Sequence, residues 1–169
     1  MTPQTDRQAE SYGSQQILQN LARYNTRANR ELFQCLAALT GRARRRDTGS
    51  WFGSIHGILN HIIICDINWL RRYRALWPDS PVLNDPQLDP PNLSWDHDLH
   101  DSFPELRAHR VQVDALMVEW FQEFPASRYT ETFQYNDSAG TMRTARAGQA
   151  FEFLFLHQVH HRGQISQIL

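Results

Sequence analysis

Two histidines near the C-terminus, His157 and His161, have the spacing that most directly suggests chemistry. Four residues apart on a helix, their side chains lie on one face about one turn apart, so both imidazoles can converge on a single metal ion. The local sequence is HQVHH, so the glutamate base of an HExxH protease is missing. Both histidines interrupt an apolar stripe of Ala147, Ala150, Leu154, Ile165 and Ile168, where an imidazole needs a partner. A third ligand must come from elsewhere, and the segment around residue 60 offers His56 and His61. Five residues apart on a helix, these point ~140° apart and cannot serve the same ion. His61 lies beside Ile58 and Cys65 on the flank of a buried stripe, which selects it over His56, although a core histidine bonded to a carbonyl is its other reading on these grounds. His160 falls on the flank of the last helix and reads as surface or as outer support for the site. His97, His100 and His109 show no pairing that suggests ligation.

Helices must position these residues. Ile17, Leu21, Tyr24, Ala28, Leu32, Cys35 and Leu39 recur at spacings of three and four, predicting a first helix over residues 14–40 with that stripe buried. Gly41 stops it, and Arg42, Arg44, Arg45 and Arg46 follow where cations complement the helix dipole, reading as a solvated helix end. A second helix is expected over 51–77, with Ile55, Ile58, Leu59, Ile62, Asp66, Trp69, Leu70 and Tyr73 on its buried stripe. Pro78 ends it. Residues 78–100 carry four further prolines among Asp, Asn and Ser and read as a connection. Its extended reach, roughly 65 Å, exceeds the roughly 40 Å length of the preceding helix, so the next helix can run parallel to the second. Ser102 and Glu105 have capping-box spacing for a third helix, with Leu106, Val113, Met117, Trp120 and Phe124 buried and Pro125 closing it. Alternation from Tyr129 to Tyr135 followed by the turn Asn136–Gly140 predicts a small β-hairpin. The last helix runs from about Ala145 to Leu169.

The 169 residues fit one domain, 1–169, and 41% hydrophobic against 21% charged residues describe a globular chain. The formal net charge of -1 gives no electrostatic case for nucleic acid. No apolar run reaches membrane-spanning length, and the N-terminus lacks the apolar core of a secretory signal, so a cytoplasmic location is expected. Cys35 and Cys65, far apart inside apolar patterns, read as reduced core residues. Every basic side chain other than histidine is arginine, and the absence of lysine removes P-loop and Schiff-base chemistry.

The segments LARYNTRANREL, FGSIHGILNHIIICDINWL and FLHQVHHRGQI resemble the three conserved blocks of the DinB superfamily of metalloproteins, and YNDSAGTMRTARAG is similar to that family's hairpin. The resemblance implies an all-α four-helix bundle in up-down-down-up order. It implies metal ligation by the histidine of the NH-x-x-x-x-D-x-x-W block and both histidines of the H-x-x-x-H-R-G-Q block, which are His61, His157 and His161 here, the set already chosen from spacing. It further implies a divalent ion, zinc or nickel, and a homodimer. Family members often carry Trp where this chain has Arg27 and His where it has Ser166, departures that leave the ligand set intact.

Three neutral imidazoles leave a position for water or substrate. The characterised part of the resembling family uses it for transfer or isomerisation with a low-molecular-weight thiol such as bacillithiol, mycothiol or glutathione. The expectation is therefore a metal-dependent thiol S-transferase whose partners are a small thiol and an electrophile, with Asn60, Asp66, Arg162 and Gln164 as supporting groups. A non-catalytic, stress-associated metal-binding protein and a metal-dependent hydrolase are the alternatives.

Overall fold

The computed structural model describes residues 3–91, 93–95 and 98–169. Five helices, α1 (Pro3–Ala37), α2 (Gly41–Arg44), α3 (Ile55–Tyr73), α4 (Phe103–Glu123) and α5 (Ala147–Ile168), account for most of them, and a hairpin of β1 (Thr132–Asn136) and β2 (Met142–Arg146) precedes α5. The short α2 aside, this is the expected four-helix bundle. Paired contacts fix its directions. Asp66 meets Arg110 and Tyr73 stacks near Trp120, so α3 and α4 run parallel. Gln15 reaches Phe124 while Phe33 stacks on Phe103, so α1 and α4 are antiparallel. His61 meets His157 whereas Tyr73 donates to the Ala150 carbonyl, so α3 and α5 are antiparallel too. The order is up-down-down-up.

Helix boundaries follow local chemistry. Ser54 and Ser102 each accept a hydrogen bond from the backbone three residues on, at Gly57 and Glu105, capping α3 and α4. Every residue of the expected α3 and α4 stripes is buried, and Trp120, Phe124 and Tyr73 form an aromatic cluster around Phe151. The hairpin pairs Thr132 with Arg146 through Asn136 with Met142, and its Tyr135 packs on Trp69 of α3.

Two expectations are corrected at α1. The helix starts at Pro3, well before Ser14, because a polar first segment has no apolar period to reveal it. Its buried face holds Leu18, Ala22, Asn25, Asn29, Phe33 and Leu36, while Ile17 and Tyr24 are exposed. The stripe is displaced because two asparagines occupy the inside, a choice that apolar periodicity cannot see. Cys35 is accordingly exposed, contrary to its core reading, while Cys65 is buried and both thiols are free.

The connection 78–100 is anchored and not merely a spacer. Val82, Leu83 and Leu88 are buried in the main core, and a 3-10 turn spans Pro86–Leu88. His97 lies outside the described residues. The arginines after Gly41 also do more than meet solvent: Arg44 donates to the Leu36 carbonyl at 2.9 Å, and Arg45 reaches the Asp101 carbonyl and Asp98. No helix among the described residues is long and apolar enough to cross a membrane.

Candidate metal centre

Antiparallel packing of α3 on α5 brings together the three histidines selected from the sequence. His157 Nε2 lies 3.2 Å from His61 Nε2 and 2.9 Å from His161 Nε2. The His61 and His161 ring centroids are 4.7 Å apart, so the three rings form one cluster. His56, rejected from spacing, points instead to the His100 carbonyl, 2.8 Å from its Nε2.

The hydrogen-bond partners of each ring show what the cluster lacks. His161 Nδ1 donates to Gln164 Oε1 at 2.7 Å, so its Nε2 carries a bare lone pair in the neutral ring. That lone pair faces His157, whose Nδ1 is buried without a hydrogen-bond partner among the described residues. Whichever tautomer His157 adopts, one of its nitrogens is unsatisfied, and its Nε2 cannot serve both neighbours with a single proton. A shared extra proton is disfavoured: burial, reinforced by the neighbouring histidines, lowers His61 to about 4 and His157 to about 3, and burial also lowers His161. Converging neutral imidazoles are the protonation state that a divalent cation requires. The two nitrogen separations also approach the roughly 3.3 Å edge expected between ligands about 2.0–2.1 Å from a tetrahedral ion.

Sequence reasoning missed Cys65. Its Sγ is 3.5 Å from His61 Nε2, and His61, Cys65 and His157 offer ligand atoms all within 4.8 Å of one another, a group that could hold a metal ion. The signal was there, since Cys65 follows His61 by one helical turn on the same face. Burial pushes its thiol well above the ordinary range, so without a cation it remains protonated.

Aromatic rings wall the cluster. Phe52 stacks on His61 with ring centroids 4.0 Å apart and meets His161 edge-on at 5.4 Å. Gly57 makes this approach feasible, because any Cβ there would collide with the Phe52 carbonyl. Phe153 flanks His157, and Trp95, carried in by the long connection, has its ring 6.2 Å from His61.

Of the supporting groups expected, Gln164 alone bonds a histidine of the cluster. Asp66 is fully buried and turned inward, accepting from Arg110 and Gln158; burial raises its carboxyl to about 7 against the opposing pull of Arg110. Arg110 also pairs with Asp114 at 2.8 Å, Asp114 accepts from Asn29 at 3.0 Å, and Arg162 donates to Asn25, Asn29 and Gln158. This network joins α1, α3, α4 and α5 beneath the histidines. Asn60 ties the end of the long connection to α3, donating to the His100 carbonyl and accepting from its N–H. His160 is exposed, as surface placement required.

An up-down-down-up bundle with a histidine cluster between α3 and α5 is a helical fold carrying a candidate metal site. The DinB family model matches residues 12–169, and the chain belongs to that family. Neither a curated protein nor a solved structure matches it.

Proposed function

We propose that this DinB protein is a metal-dependent enzyme of the thiol S-transferase or isomerase type, with His61, His157 and His161 holding one divalent ion, zinc or nickel. The observation that carries this reading is the convergence of three neutral imidazoles through their Nε2 atoms. Three protein ligands are the count of catalytic sites, whereas structural sites have four. A divalent ion held by neutral imidazoles keeps its full charge and so favours a bound thiolate at neutral pH. The chain's own residues do the rest: Gln164 orients His161, Phe52 covers His61 from one side, and Trp95 borders the cluster from the connection. Hydrolysis is disfavoured because Asp66 is committed to Arg110 and Gln158 and cannot act as a base. A cytoplasmic location, where small thiols stay reduced, fits this chemistry. Exposed Phe153, Leu156 and Val159 on α5 support a homodimer, which sedimentation at micromolar concentration tests.

Cys65 favours a second reading. If its thiolate completes a His3Cys set, the site is closed and the protein binds metal without turnover. Cobalt substitution separates these readings. The enzyme reading expects no sulfur-to-cobalt charge-transfer band in the thiol-free protein, a band on adding a small thiol, and no response to a thioether. A band already present without thiol and lost in Cys65→Ser supports the closed site. Indifference to thiols with a response to hydroxide near neutral pH moves the assignment to a hydrolase.

A further inference from the structure

One face of α3 extends from the histidine cluster into a groove that the metal chemistry does not use. His61, Cys65, Asn68 and Arg72 follow one another at spacings of four, three and four, so all four lie within a narrow stripe of the helix. Asn68 and Arg72 line an open groove of about 430 Å³ whose other walls are the hairpin and Trp95. Trp95 also borders His61, with ring centroids 6.2 Å apart, and so links the groove to the edge of the histidine cluster.

Arg72 is the unusual member of this groove. Its guanidinium carbon lies 4.8 Å from the Trp69 ring centroid and 4.9 Å from that of Tyr135, which packs the group against both rings. Stacking occupies the faces of a guanidinium and leaves the N–H edge free. Among the described residues that edge makes no hydrogen bond or ion pair, and only the Asp137 carboxylate of the same groove acts on it through space; the side chain is half-buried, and desolvation lowers its pKa. The neighbouring charges are already committed. Arg71 pairs with Asp89 at 3.3 Å, and Asp137 accepts from Arg143 and from the backbone of Ala139 and Thr141. A half-buried arginine with an unused fork, packed against two rings at a groove wall, is suited to a planar anion from solution.

We propose that the groove binds a carboxylate of the substrate through Arg72, so that the molecule extends from the metal centre along α3 to this arginine. The proposal rests on the thiol reading for what occupies the metal end and goes beyond it in naming the substrate class. Eleven residues of helix separate His61 from Arg72, about 16 Å between α-carbons, and the arginine side chain leans back toward the helix N-terminus to shorten the span. A thiol of tripeptide size, roughly 10 Å when extended, covers the remainder. Small thiols that carry carboxylates remote from sulfur, as glutathione and bacillithiol do, fit this arrangement. Mycothiol, which has no carboxylate, does not.

Calorimetric titration of the metal-loaded protein with S-methylglutathione tests the subsite separately from the metal, because a thioether supplies no thiolate. Wild-type protein is expected to bind it. Arg72→Gln and, independently, esterification of the ligand's carboxyl groups should each weaken binding by about tenfold or more, the loss that follows from removing a charge-assisted hydrogen-bonded pair. Arg72→Lys should recover part of it. The ester arm uses unaltered protein, so misfolding of a variant cannot imitate the result. A second arm uses maleate, a sulfur-free diacid: Arg72-dependent binding of maleate but not of S-methylglutathione assigns the carboxylate to the electrophile. The proposal is overturned if neither ligand binds, or if both bind wild type and Arg72→Gln alike. Its fate is distinguishable from that of the thiol reading. A cobalt spectrum that responds equally to glutathione in both proteins retains the thiol and removes Arg72, whereas Arg72-dependent binding with a thiol-blind cobalt spectrum does the reverse.

Discussion

Gln164 Oε1 accepts a hydrogen bond from His161 Nδ1 at 2.7 Å, one turn beyond the ligand on the same helix, and thereby turns the His161 Nε2 lone pair toward His157. A ligand whose tautomer is fixed in advance loses less freedom on binding metal, and such outer contacts are worth about 10–100-fold in affinity. Gln164→Ala is expected to weaken zinc binding by about tenfold, the lower end of that range, since a water can replace an amide on this partly exposed helix. Gln164→Glu, a stronger acceptor, should preserve affinity. Competition titration with a chromophoric chelator measures both, and unchanged affinity in Gln164→Ala contradicts the orienting role.

The buried network should dominate stability. Arg110 is flanked by Asp66 and Asp114, all three nearly or wholly buried. Arg110→Met leaves two carboxylates in the interior without their cation and should cost about 3–5 kcal/mol in urea unfolding. By contrast, Arg27→Ala removes the exposed Arg27–Glu31 pair and should change stability by no more than about 0.5 kcal/mol. Equal effects would show that the network contributes no more than surface charge.

Acid should loosen the long connection. His109 Nε2 donates to the Gln87 carbonyl at 2.9 Å, which makes its Nδ1 the acceptor for His100 Nε2 at 2.8 Å. Burial lowers the pKa of His56, His100 and His109 below the ordinary 6.5. The unfolded chain therefore takes up protons first as pH falls. Their neutral-state contribution is complete above about pH 6.5 and is lost as pH drops through the lower folded values. Protonating His109 also places a second hydrogen against the His100 donor. The melting temperature of metal-free protein should fall between pH 7 and pH 5, with His61, His157 and His161 contributing in the same direction, and His109→Gln should remove part of that dependence. A profile unaltered by the substitution would contradict this assignment.

Much of the bundle was legible because apolar residues obey one period on α3, α4 and α5, and because Ser102 and Pro125 bracket α4; the start of α3 at Ile55 and not at Trp51 is set by the Ser54 cap, which the apolar period does not mark. The histidine cluster was legible for the same reason: two helical spacings, 157 to 161 and 56 to 61, select faces without any tertiary information. The inner face of α1 was not, since Asn25 and Asn29 turn inward to serve Asp114 and Arg162, partners 85 or more residues away. The His100–His109 pair was likewise hidden, because His100 uses its backbone and its ring to bond side chains of α3 and α4, namely His56, Asn60 and His109. Cys65 had the right spacing but was masked by the apolar run around it. The Arg72 groove depends on a hairpin and a connection whose docking no local pattern encodes.

Metal content per folded chain tests the central claim most directly. Elemental analysis of protein loaded with zinc and freed of excess should give one ion per chain in wild type, a sharp loss in each of His61→Ala, His157→Ala and His161→Ala, and retention in His56→Gln and Cys65→Ser. One ion retained in all three histidine variants, or lost only with Cys65, would contradict the assignment of His61, His157 and His161 as the ligand set.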